Sequence, residues 1–138
     1  MPTSPDNNFK NQVAAQPGGE RVPHCFLCGT CTAGCPVSEI DESFNPRKIM
    51  RQILHGFKDE TLSDGEIWKC NQCHTCVAHC PQDVRFADIV RALREIAVAQ
   101  GIYDQSFVEK IKEIDINAHK QRLEQVKIIL GDCGSSPQ

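Results

Sequence analysis

The chain has 138 residues, nine of them Cys, with 15 Lys and Arg against 18 Asp and Glu and a formal net charge of −3. That length predicts one compact domain with tails, and the charge balance disfavours a nucleic-acid partner. No apolar run approaches the roughly 20 residues that span a bilayer, and the Met1-Pro-Thr-Ser-Pro start lacks the pattern of a signal peptide, so a soluble, cytoplasmic protein is expected.

In chain order, residues 1–22 are rich in Pro, Gly, Asn and Gln without an apolar period. They predict an extended N-terminal arm. Residues 23–103 hold an internal repeat. Cys25-Phe-Leu-Cys28-Gly-Thr-Cys31-Thr-Ala-Gly-Cys35-Pro36 returns 45 residues later as Cys70-Asn-Gln-Cys73-His-Thr-Cys76-Val-Ala-His-Cys80-Pro81. An amphipathic helix follows each copy. The first carries Ile49, Met50, Ile53, Leu54 and Phe57, with Asn45 as cap, Pro46 in the first turn and Gly56 as stop. The second carries Phe86, Ile89, Val90, Leu93, Ile96 and Ala97, with Gly101 as stop. Ser63 and Glu66 are spaced as a capping box for a helix running through Trp68. Residues 104–138 predict a helical extension and a frayed Ser135-Ser136-Pro137-Gln138 tail. Its apolar phase slips near Asn117–Gln121, which predicts two helices or a bend. No stretch alternates like a strand, so the fold class is mostly α with two cluster-binding loops, pseudo-duplicated.

In a reducing compartment such dense cysteine points to metal or redox chemistry rather than disulfides. The spacing C-x2-C-x2-C-x3-C-P is that of two-cluster ferredoxins, in which the fourth Cys serves the other cluster. Two [4Fe–4S] clusters are therefore expected. Cys25, Cys28, Cys31 and Cys80 form the ligand set of cluster one; Cys70, Cys73, Cys76 and Cys35 form that of cluster two. Structural zinc joins two isolated C-x2-C knuckles, whereas each motif here holds a third Cys at the same interval. A plant-type [2Fe–2S] centre needs C-x4-C-x2-C, which is missing. Cys133 stands outside the repeat as a spare thiol.

His24, His74 and His79 flank cluster ligands, as donors to cluster sulfur or as solvated imidazoles. Trp68 is placed to shield cluster two from water, and Arg85, Arg91 and Arg94 to form a solvated polar face. There is no dinucleotide loop, P-loop or histidine pair. With all eight motif thiols committed, the expected role is an electron relay rather than catalysis.

At these residues the sequence resembles the C subunit of heterodisulfide reductase and of heterodisulfide-reductase-like complexes. The resemblance rests on both cysteine motifs, on Asn45-Pro46-Arg47-Lys48-Ile49, on Glu66-Ile67-Trp68-Lys69-Cys70 and on the run from Asp88 to Ala97. It covers residues from about 22 to 103. It implies an α-helical ferredoxin fold and a place between a flavin-bearing A-type subunit and a B-type catalytic subunit with CCG motifs. The acidic link Val37-Ser-Glu-Ile-Asp-Glu-Ser-Phe44 resembles homologues from sulfur-metabolising bacteria and archaea. The cysteine spacing alone is shared with succinate dehydrogenase iron–sulfur subunits and with free-standing ferredoxins that shuttle electrons by diffusion. The apolar residues between 104 and 130 suggest a docking segment.

Overall fold

The computed structural model describes the backbone of residues 4–133 and side chains as far as Gly131. Its helices are α1 (Phe9–Ala14), α2 (Thr30–Ala33), α3 (Pro36–Ile40), α4 (Pro46–His55) and α5 (Lys58–Ser63). They continue with α6 (Glu66–Lys69), α7 (Thr75–His79), α8 (Phe86–Ala99) and α9 (Gln105–Cys133), and a 3-10 turn spans Val22–His24. The described residues contain no strand, so the chain is mostly helical. It divides into two compact units between Tyr103 and Asp104.

The first unit is built on α4 and α8. Asn45 accepts the Lys48 N–H at 2.9 Å, and Pro46 occupies the first helical position of α4. Both helices end in the same six-to-one closure. Phe57 N–H reaches Gln52 O and Gly56 N–H reaches Ile53 O; Ile102 N–H reaches Ala97 O and Gly101 N–H reaches Val98 O. The pivots Gly56 and Gly101 stand at φ +80° and +72°, where a Cβ is unfavourable. Ile49, Met50 and Ile53 of α4 meet Ile89, Val90, Leu93 and Ala97 of α8 in one core with Phe44, Leu62 and Ile67.

The N-terminal segment departs from the extended arm expected over residues 1–22. Phe9 and Val13, one helical turn apart, are fully buried in that core. Asp6 N–H donates to Gly56 O at 2.8 Å, and Asp6 carboxylate oxygens accept from Asn8 N–H and the Gln12 amide. A six-residue helix buries only two apolar side chains, Phe9 and Val13, too few to register as a period. Tertiary burial, rather than propensity, makes it helical.

The expected capping box is also replaced. Ser63 closes α5, and Gly65 precedes α6 at φ +77° without a side-chain cap. Tyr103 hydroxyl donates to Ser63 O instead.

In the second unit, α9 runs unbroken over 29 residues where two helices or a bend were expected. No Pro or Gly lies between Gln105 and Leu130, so the backbone ladder has no reason to break; the phase slip only moves the apolar residues to another face. Asp104 starts it, accepting Phe107 N–H at 2.8 Å and the Ser106 hydroxyl at 2.9 Å. Ile114, Ile116, Leu123, Ile128, Ile129 and Leu130 are all exposed. The Cys133 thiol and the predicted frayed tail lie outside the described residues.

Candidate cluster-binding site

The two cysteine loops are copies in geometry as well as in spelling. Each is anchored by a fully buried residue three positions ahead of its first Cys, Val22 and Ile67. Each then turns through two left-handed residues, Leu27 and Gly29 at φ 59° and 85°, Gln72 and His74 at φ 56° and 61°. Each equivalent pair lies 45 residues apart. Such conformations cost non-glycine residues energy and persist where the surroundings fix them. Alternating left-handed residues turn successive N–H groups toward the concave side of a loop, where they favour anionic sulfur. Leu27 N–H lies 3.4 Å from Cys25 Sγ. Cys28 and Cys73 both have Sγ 3.3 Å from the hydroxyl of the threonine two residues on, Thr30 and Thr75.

These loops line two concavities, of about 420 and 300 Å³ including solvent at their mouths. Cys25, Cys28 and Cys31 surround the first together with Cys80, which comes from the second motif. Cys70, Cys73 and Cys76 surround the second together with Cys35, from the first motif. Cys76 touches both, and Phe86 lies on both walls. Helices α2 and α7, which carry Cys31 and Cys76, pack directly on each other. His79 Nδ1 sits 3.1 Å from where a Gly34 Cβ would stand, so a larger residue there would press on the exposed imidazole.

Cations of the two long helices hold the loops from behind. Arg47 Nε donates to Leu27 O at 2.7 Å. Arg94 donates from Nε to Ile67 O and from a terminal nitrogen to Cys70 O, at 3.0 and 2.7 Å. Its guanidinium lies 5.0 Å from the Trp68 ring centroid, and that ring meets Tyr103 edge-on at 5.2 Å. Trp68 therefore supports Arg94 behind the loop and is not on the wall of the second concavity. Lys69 bridges Asp41 and Glu66 at 2.9 and 3.1 Å. With Ser43, it holds the Asp41 carboxyl down at about 2. This network ties the segment after Cys35 to the residue before Cys70.

The expected arginine face is thus mostly engaged. Arg94 clamps a loop, while Arg85 and Arg91 both pair with the buried Asp88 carboxylate, at 2.7 and 2.9 Å. His24, His74 and His79 are exposed. Sequence reasoning passed over Arg47 as a functional residue. Its partner is 20 residues away, and no local spacing announces it.

The donor set fits a polynuclear cluster. Burial pushes the Cys25, Cys31 and Cys70 thiols up, and the Cys76 thiol to about 11. Cys28, open to solvent, is instead lowered by its hydrogen bonds to Thr30. Half-buried sulfurs that resist ionisation alone become thiolates readily once iron supplies the positive charge. Among the described residues no three His, Cys, Asp or Glu side chains converge on a single ion position; the motif cysteines line the walls of the two concavities.

A family profile for the 4Fe–4S dicluster domain matches residues 21–84. Over 96 residues, 70% of this chain and 51% of the relative, the chain is 38% identical to the C subunit of the H(2):CoB-CoM heterodisulfide,ferredoxin reductase of Methanothermobacter thermautotrophicus. Over 80 residues, 58% of this chain and 42% of the relative, it is 42% identical to an iron–sulfur C 2 subunit of the CoB–CoM heterodisulfide reductase of Methanocaldococcus jannaschii. An Archaeoglobus profundus protein named for its likeness to the heterodisulfide reductase C subunit is 24% identical over 103 residues, 75% of this chain and 55% of the relative. The chain spans about half the length of the curated relatives it matches.

Proposed function

We propose that the chain is an electron-relay subunit of a heterodisulfide-reductase-type complex, a reading supported by the match of residues 21–84 to the 4Fe–4S dicluster domain profile. It carries two [4Fe–4S] clusters. Cys25, Cys28, Cys31 and Cys80 hold cluster one; Cys70, Cys73, Cys76 and Cys35 hold cluster two. When bound, each cubane supplies a one-electron centre whose potential follows hydrogen bonding, charge and solvent exposure. The chain's own residues do the rest. The exchanged ligands Cys35 and Cys80 lock the two loops together, and the α2–α7 contact keeps the sites adjacent. Phe86 keeps water from both inner walls and Val84 from that of the first. Four thiolates at each site leave no iron open to a substrate, so the relay serves partners: a flavin-bearing subunit on one side and a CCG-motif subunit acting on a thiol or disulfide on the other.

The observation that carries the ligand assignment is the crossing of Cys35 and Cys80 into the opposite concavities. Anaerobic EPR tests it. Cys31→Ser should abolish or alter the signal of cluster one, and Cys35→Ser that of cluster two, although both lie in the first motif. Loss of the same signal in both variants would refute the crossing. Purification of the native protein tests the partners, which should co-elute as a flavin-containing chain and a chain with CCG motifs. Recovery as a lone small protein would point instead to a diffusible ferredoxin.

A further inference from the structure

Beside the first concavity lies a second cleft, lined by Leu27, Asn45, Arg47, Lys48 and Arg51. Three cations on two turns of α4 face it, all of them exposed. Lys48 and Arg51 form no ion pair among the described residues. Their position costs stability locally, because Arg47 and Lys48 stand in the first turn of α4, where the helix dipole disfavours positive charge. The chain as a whole is acidic, at −3, so this is a local field against the net charge. Its neighbours are those of an electron port: Cys28 is exposed, and Phe26 is exposed at 59% on the same loop. The mouth of the second concavity differs. Asn71, Cys73, His74 and Thr75 line it without Lys or Arg, and nearby Lys69 is paired with Asp41 and Glu66.

We infer that this basic cleft, with Phe26 at its side, is a docking surface for an acidic redox protein, and that cluster one is therefore the port through which that partner exchanges electrons. One electron crosses per encounter, so cluster one and the partner change oxidation state by one unit in opposite senses. Charge complementarity of this kind sets encounter rate and orientation. The inference rests on the relay reading above and adds which end meets which kind of surface.

The test uses the two-cluster holoprotein carrying Lys48→Glu and Arg51→Glu, sparing Arg47 because it holds Leu27. Reduced protein is mixed with Co(EDTA)− or with hexaamminecobalt(III), each a one-electron oxidant of opposite charge. The anion should oxidise cluster one faster at low salt, with a rate that falls as ionic strength rises. The double variant should lose about tenfold of that rate, reverse the salt trend and favour the cationic oxidant. Its melting temperature should change little, since Glu at position 48 suits the first turn of α4 and position 51 is an exposed mid-helix site. Wild-type rates with both oxidants would overturn the inference. So would acetylation of Lys48 in the purified native complex at the rate seen in the free holoprotein, since a docked partner protects it. A chain that purifies without partners fails the complex reading instead, while the oxidant rates still decide the cleft.

Discussion

Arg94 shows how much of the site depends on side chains outside the cysteine motifs. Its half-buried guanidinium satisfies two carbonyls of the chain entering Cys70 while lying over Trp68. A hydrogen bond from a charged donor contributes roughly 1.5–3 kcal/mol, and a lysine, with no planar fork, cannot serve both carbonyls in the same geometry. Arg94→Met should therefore cost about 2 kcal/mol in anaerobic guanidinium unfolding of the holoprotein, with Arg94→Lys only partly restoring it. EPR of cluster two should broaden or shift in the methionine variant while that of cluster one stays as in wild type. The cysteines were legible because their spacing is local and repeats. Arg47 and Arg94 were not, because their acceptors lie 20 to 27 residues away and only folding brings them together.

At the level of elements, legibility followed length. Helices α4 and α8 have enough turns to show an apolar stripe, a cap and a glycine stop, and they form where the pattern placed them. In α1, apolar burial rests on Phe9 and Val13, and the surrounding Asn, Gln, Gly and Pro read as arm. Yet this segment seals the core: Phe9 is fully buried among residues of the same hydrophobic cluster as Ile53 and Leu93. Phe9→Ala should destabilise the holoprotein by about 3 kcal/mol, the lower part of the range for emptying a buried aromatic site. Thermal or guanidinium melts under anaerobic conditions measure it. A plain arm predicts no change. Helix α9 failed in the opposite direction: its sequence carried ample pattern, but two apolar faces in succession imitated a break that the backbone does not make.

For the whole molecule, the division between Tyr103 and Asp104 separates the body that carries the cysteine motifs from a long helix. Every member of the buried core, and all eight motif cysteines, lie in the first unit. Removing residues 104–138 should accordingly leave about eight iron atoms per chain and a cooperative melt. At 1.5 Å per residue, α9 would extend about 44 Å, and it exposes Ile114 at 60%, Ile116 at 53% and Leu123 at 51%, with three consecutive apolar residues from Ile128 to Leu130. Apolar exposure on that scale, spread over two sides of one helix, is costly in water unless an assembly covers it. The truncated chain should thus lose its place in the complex: partner chains that co-elute with the full-length protein should no longer do so, although the iron content is intact. Loss of iron on truncation would mean that α9 belongs to the cluster-binding body. Unchanged co-elution would leave the basic cleft beside Cys28 as the surface that holds the partner.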